Sequence, residues 1–379
     1  MASVGIIAEY NPFHNGHLYH LQKIKEKYKD DTIVLILSGN FTQRGEPSII
    51  DKWKKTEIAK IAGIDLIIEL PFIFATQSAD FFSYGAVTLL EKLKVEKLVF
   101  GSESDNIDDL ITIAKTQLEN EDFDKLVKIY SKFGENYPTA ISKAIEDLTE
   151  KKVNTPNDLL GVSYIKTILQ HNYNIKPEII KRTNDYKSID IEEISSATAI
   201  RKALKDNIDI SKAVPNYVIP YLEKKHYIDD YFQLLKYKII TENDLSKYQT
   251  VDEGIEGKLK KEIINTNTYD DLINKIKSKR YTYNKISRML LHILIGLTKE
   301  DAKNMKEIEY IRILGFSSKG QIYLNSIKKD IDIEILSKFK RHTSKMLELE
   351  LKTTTIYSLT EKDNTLIEQE YKNHLRKEL

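Results

Sequence analysis

The stretch Ile6-Ile7-Ala8-Glu9-Tyr10-Asn11-Pro12-Phe13-His14-Asn15-Gly16-His17 decides how the rest of the chain reads. Val4 to Ala8 is a short apolar, β-branched run, the pattern of a strand buried in a parallel sheet. Pro12 lacks an N–H and pushes Asn11 toward extended geometry, so the strand ends there. From Asn15 or Gly16 to about Tyr28, the residues His17, Leu21, Ile24 and Tyr28 recur at three- and four-residue spacing with lysines opposite, which predicts a helix. His14 and His17 therefore stand where a first strand turns into a first helix. Ligands of open α/β sheets bind at such turns, and the free N–H groups of a helix start attract phosphate.

The alternation continues downstream. Thr32–Leu37, Leu66–Leu70 and Leu98–Phe100 read as further buried strands, with helices predicted over Ile50–Ala62 and Tyr84–Leu93. Three helices, roughly Asn106–Leu118, Phe123–Phe133 and Thr139–Leu148, form an insertion. A helix over Leu159–Leu169 and a fifth strand over Pro177–Arg182 follow it. The expected fold is α/β: a Rossmann-like domain with a five-stranded parallel sheet, then a mainly helical region. The expected division is 1–222 for the α/β domain and 223–379 for the helical one. Ile311–Gly315, with Gly320 after it, reads as a small separate unit.

The chain has 379 residues, 41% of them hydrophobic and 30% charged, which suits two globular domains and argues against wholesale disorder. It has no cysteine, which excludes disulfides and thiolate chemistry. No apolar run approaches the roughly 20 residues of a membrane span, and the start lacks a basic, cleavable leader pattern, so a cytoplasmic protein is expected. Net charge is +1, but between Lys258 and Glu350 there are 20 Lys and Arg against 12 Asp and Glu, and Leu272–Thr298 contains no acid. That asymmetry predicts a polyanion-binding surface. Its basic members are Lys275, Lys277, Lys279, Arg280, Lys285 and Arg288. Tyr281 and Tyr283 between them are candidates for stacking on bases, although core packing is the commoner role for a tyrosine.

His14, His17 and His20 share the spacing of a metal site. Positions i and i+6 of a helix point about 120° apart, however, and no cysteine completes a ligand set, so no metal site is expected. The chain has no G-x-G-x-x-G and no Walker A loop.

His14-Asn15-Gly16-His17 resembles the signature of the nucleotidylyltransferase and class I tRNA synthetase superfamily, which cradles ATP phosphates. Ile194-Ser195-Ser196-Ala197-Thr198-Ala199-Ile200-Arg201 is similar to that superfamily's second motif, in which hydroxyls and N–H groups at a helix start hold the β- and γ-phosphates. The extra residue Ala197 leaves open whether Ser196 or Thr198 takes the phosphate. A class I synthetase would carry a KMSKS-type loop after the last strand, and Ser317-Ser318-Lys319 lies too far downstream for that. Taken with Ser38–Pro47, Glu69-Leu70-Pro71, Pro156–Gly161 and Arg280–Leu291, the opening resembles the bacterial tRNA(Met) cytidine acetate ligase family over essentially the whole chain.

The resemblance implies that ATP activates acetate to acetyl-adenylate, and that the acetyl group passes to N4 of the wobble cytidine of elongator tRNA(Met). It implies an ATP site of Ile7, Ala8, Glu9, Tyr10, Asn11, Pro12, Phe13, His14, Asn15, Gly16, His17, Leu18, Tyr19 and His20, with Gly101, Asn157 and Arg182. Ser195, Ser196, Thr198 and Arg201 would add phosphate contacts, and His14, His17 and Arg182 would be catalytic. Mg²⁺ is expected to accompany ATP, and tRNA to engage the basic stretch. Two other readings stay open: an adenylyltransferase for a small phosphorylated cofactor, and a non-catalytic RNA-binding protein with a vestigial nucleotide pocket.

Overall fold

The computed structural model describes residues 1–182, 195–341, 344–361 and 363–372. Ile194, the first residue of the second motif, lies outside the described residues.

Seven strands form one sheet in the order β5-β4-β1-β2-β3-β6-β7. They are β1 (Ser3–Ala8), β2 (Thr32–Ser38), β3 (Leu66–Leu70), β4 (Lys97–Ser102), β5 (Lys176–Lys181), β6 (Tyr310–Phe316) and β7 (Glu334–Leu336). The first five run parallel. β2 and β3 are buried along their whole length, as helices on both faces of a parallel sheet require. Strand order reverses at β1, which has β4 on one side and β2 on the other. That opens a crevice beyond the C-terminal ends of β1 and β4, where such sheets bind ligands.

The sheet corrects two expectations. It has seven strands and not five, and Ile311–Gly315 is no separate unit but the middle of β6, which pairs antiparallel with β3. An uncovered β3 would leave a row of N–H and C=O groups unpaired, and β6 removes that edge. The local strand signal is broken by Arg312, which is fully buried. Its guanidinium meets Glu370 at 2.5 Å and Glu69 at 3.5 Å, while Lys52 Nζ reaches the same two carboxylates at 2.7 and 2.6 Å. Removing one member would strand a buried charge, typically about 3–5 kcal/mol. This cluster ties the second and third strand–helix units to the last helices of the chain.

The predicted insertion is present as helices Ile107–Glu119, Phe123–Lys132 and Tyr137–Thr149 between β4 and the Pro156–Gln170 helix. After residue 222 the chain is mainly helical. Its most buried helix, Tyr283–Ile295, packs against the loop that follows β2: Ser287 Oγ donates to the Gly45 carbonyl at 3.1 Å. Gly45 has φ +84°, and a Cβ there would sit 2.4 Å from the Arg288 nitrogen, so both backbone shape and contact demand glycine.

Candidate active site

A cavity of about 350 Å³ occupies the crevice. One wall is the first motif. Asn15–Lys27 forms the helix, and His14 caps it: His14 Nδ1 accepts the Gly16 N–H at 3.1 Å, while His17 Nδ1 accepts the His14 N–H at 3.3 Å. The two rings stack with centroids 3.8 Å apart. With each Nδ1 used as an acceptor, the ring proton sits on Nε2, so both imidazoles present an N–H donor. Burial pushes the His14 pKa down to about 3, helped by Arg182 and Arg201. Burial, then His14 and Arg182, hold His17 well below the usual histidine range, and burial with Arg182 brings His20 down to about 4. The motif thus offers neutral donors, and positive charge comes from arginine.

Three arginines face the cavity. Arg201 Nη1 donates to the Asn11 carbonyl at 2.9 Å and Nη2 lies 3.4 Å from Thr198 Oγ1. Arg44 Nη1 reaches the same hydroxyl at 3.3 Å. Ser196 is the N-cap of the Ala197–Lys205 helix, its side chain accepting the Ala199 N–H at 3.2 Å. Ser196 therefore serves the helix, while Thr198 and two guanidiniums form a cationic corner at its N-terminus, of a kind suited to an anion. Arg182, just after β5, also lines the cavity, beside Gly101 and Glu103.

Beneath this corner lies a buried lysine. Lys55 Nζ donates to the carbonyls of Ser38, Gly39 and Glu9 at 2.7, 2.7 and 3.1 Å, joining the C-terminal ends of β1 and β2. Burial lowers its pKa to about 7. Glu9, on the cavity wall, accepts the Gln43 N–H at 2.7 Å, and burial raises its pKa against the pull of Lys55, Arg44 and Arg201. The remaining wall is apolar: Ala79, Phe82, Phe100, Leu160 and Tyr164. Neutral N–H donors, three arginines and a helix start facing one cavity suit a polyphosphate, with room beside it for a small apolar group.

Comparison with known proteins agrees. The family model described as HIGH Nucleotidyl Transferase matches residues 1–373. A tRNA(Met) cytidine acetate ligase of Geobacillus sp. is 43% identical over 357 residues, covering 89% of each chain. That of Caldicellulosiruptor saccharolyticus is 38% identical, covering 99% of this chain and 98% of its own. The chain belongs to the tRNA(Met) cytidine acetate ligase family. The apo crystal structure of Thermotoga maritima TmcAL matches with a TM-score of 0.90 at 30% identity, covering 98% of this chain and 97% of that one. A second Thermotoga maritima TmcAL structure, bound with alpha-thio ATP, matches with a TM-score of 0.86 at 32% identity and the same coverage.

Against the set implied for this ligase family, the cavity brings together Ile7, Ala8, Glu9, Tyr10, Asn11, His14, Gly16, His17, Tyr19, His20, Gly101, Asn157, Arg182, Ser196, Thr198 and Arg201. Pro12, Phe13, Asn15, Leu18 and Ser195 do not line it. Phe13 is core, and Asn15 turns away to bond the Lys212 carbonyl at 2.8 Å. Sequence reasoning assigned no role to Arg44, although an arginine in a loop leaving a parallel strand, just before a glycine, was a readable sign. It also missed Glu103, which accepts from Asn157 and faces Arg182.

The basic stretch divides. Lys275, Lys277, Lys279 and Arg280 are exposed, with Lys275 paired to Asp271 at 2.8 Å and Arg280 3.8 Å from Glu253. Lys285 lies over the Tyr281 ring at 4.1 Å. Tyr281 is buried, its hydroxyl donating to the Asp252 carbonyl at 2.6 Å, so it packs in the core. Arg288 is half-buried and points to the Gln43 carbonyl at 3.4 Å, bracing the loop that carries Arg44. Among the described residues no group of three or more His, Cys, Asp or Glu side chains is placed to hold a metal ion, and no helix is long and apolar enough to cross a membrane.

Proposed function

We propose that this chain activates acetate with ATP to acetyl-adenylate and transfers the acetyl group to N4 of the wobble cytidine of elongator tRNA(Met), giving N4-acetylcytidine. The observation that carries the reading is one cavity lined both by the corner of Arg44, Thr198 and Arg201 and by the stacked His14–His17 pair.

In the first step an acetate oxygen attacks the α-phosphorus in line and pyrophosphate leaves. Such a step needs alignment and stabilisation of charge spread over phosphate oxygens. Nε2–H of His14 and His17 donates to those oxygens without adding charge, while Arg44 and Arg201 neutralise the departing pyrophosphate. Arg182, beside Gly101 and Asn157, holds the adenosine side. Mg²⁺ accompanying ATP would add positive charge to the phosphates beside Arg44 and Arg201. In the second step the cytosine N4 attacks the acetyl carbonyl, the mixed-anhydride C–O bond breaks, and AMP departs with that electron pair. Neither step needs a protein nucleophile.

The catalytic role falls to residues 1–222 and tRNA gripping to 223–379, through Lys275, Lys277, Lys279, Arg280 and Lys285, with Arg288 holding the Arg44 loop between the two tasks. A wobble base already lies in a single-stranded loop, so little unpairing energy is needed to present it. A tRNA substrate fits a cytoplasmic enzyme. Incubating bulk tRNA with protein, ATP and isotopically labelled acetate, then digesting to nucleosides for mass spectrometry, should reveal labelled N4-acetylcytidine. Pyrophosphate exchange driven by a phosphorylated cofactor and not by acetate would favour the adenylyltransferase reading. Tight ATP binding without turnover would favour the vestigial one.

A further inference from the structure

Asn157, the second residue of the Pro156–Gln170 helix, lines the cavity together with Gly101 and Arg182. Its Nδ2 donates to Glu103 Oε1 at 2.5 Å. The same Glu103 oxygen lies 3.7 Å from Arg182 Nε, and its partner Oε2 is buried with no hydrogen bond among the described residues. A carboxylate beside a guanidinium accepts and does not donate, so only one orientation of the Asn157 amide is satisfied. The NH₂ turns to Glu103, which leaves Oδ1, on the opposite side of the amide, available to the cavity that Asn157 lines. Gly101 completes this end as bare backbone: a Cβ there would lie 3.4 Å from Arg182 Cγ. With phosphates drawn to Thr198 and Arg201, the nucleoside is left to this end.

We propose that Glu103 is a positioning residue that sets purine selectivity, by holding Asn157 with its carbonyl oxygen toward the base. There Oδ1 accepts from the 6-amino group of adenine. Guanine carries an oxo group at that position, which would set two acceptors against each other and leave both unsatisfied. Sites built around a specific hydrogen bond discriminate far more strongly than apolar pockets do. The inference rests on the proposed function only in requiring that the cavity bind a nucleoside triphosphate. It goes further in naming the residues that select adenine over guanine.

The test is acetate-dependent exchange of labelled pyrophosphate into ATP and, separately, GTP, without tRNA. The parent protein should prefer ATP by about 100-fold or more in kcat/KM. Glu103→Ala frees the amide to rotate and present NH₂, so the ratio should fall at least ~10-fold, with the KM for GTP dropping as that for ATP rises. Glu103→Gln keeps an acceptor oxygen for Asn157 and should restore the ratio to within about threefold. Parallel loss with both nucleotides, leaving the ratio unchanged, would make Glu103 merely structural and overturn the proposal. So would a Glu103→Gln variant as unselective as the alanine. If Glu103→Ala does not fold, Asn157→Ala carries the same test: the ratio should collapse, and an unchanged ratio refutes the role. Absence of any acetate-dependent exchange in the parent would instead refute the proposed function.

Discussion

His14 makes the stability of this protein depend on pH in a way that a point change can isolate. In the unfolded chain its imidazole titrates near the ordinary 6.5, whereas in the fold burial holds it to about 3. Below pH 6.5 the unfolded state therefore binds a proton that the folded state refuses, and stability falls as pH falls toward 3. Between pH 8 and pH 5 this one group should remove about 2 kcal/mol, from about 1.4 kcal/mol per pH unit below 6.5. That is a sizeable part of a typical 5–15 kcal/mol. His14→Asn tests it cleanly, because an asparagine oxygen can still cap the helix while nothing titrates. Trp53, the single tryptophan and a buried one, reports unfolding in urea. The variant should lose about 2 kcal/mol less than the parent between pH 8 and pH 5. Equal losses would mean that the ring is not held neutral, and the assignment of His14 as a neutral donor would fall.

Three further outcomes are expected. His17→Ala should lower acetyl-adenylate formation about 10²-fold or more, measured by pyrophosphate exchange, as losses of transition-state donors do; a near-parental rate would refute its role. Lys279→Glu with Arg280→Glu should weaken tRNA binding and lower its salt slope by about one per lost phosphate contact, while tRNA-independent exchange stays intact. Unchanged affinity would make the stretch a solvated face. Phe82→Ala should raise use of propionate relative to acetate by about tenfold, because Phe82 is a bulky apolar side chain lining the cavity. An unaltered acid preference would place the acetyl methyl elsewhere.

Much of this was legible in the sequence. β2 and β3 are buried along their whole length and β1 and β4 nearly so, which makes them readable as short apolar runs, whereas the edge strand β5 is only half-buried; the histidine pair marks the first strand-to-helix turn. β6 was not legible, because Arg312 at its centre is tolerable only beside Glu69 and Glu370, which come from far along the chain. The position of His14 and His17 could be read, but not their neutrality, which depends on burial and on Arg182 and Arg201 being brought close. Composition made Lys275 to Arg288 look like one surface, whereas it spans the end of one helix, the connection after it and the start of the Tyr283–Ile295 helix. Lys277 and Lys279 point outward, and Arg288 turns in to the Gln43 carbonyl. Glu103 carries no motif at all, and its meaning comes only from standing between Asn157 and Arg182.

The central claim is that ATP itself activates free acetate in this cavity, and one comparison tests it most directly. Purified protein and tRNA(Met) are given either ATP with labelled acetate or labelled acetyl-CoA alone, and acetylcytidine is quantified. An enzyme drawing on acetyl-CoA would need to hold a long pantetheine arm, whereas this cavity sets a cluster of arginines beside apolar lining residues. Acetylation should require ATP and acetate together, with pyrophosphate and AMP released in equal amounts to product. Full acetylation from acetyl-CoA without ATP would contradict the account.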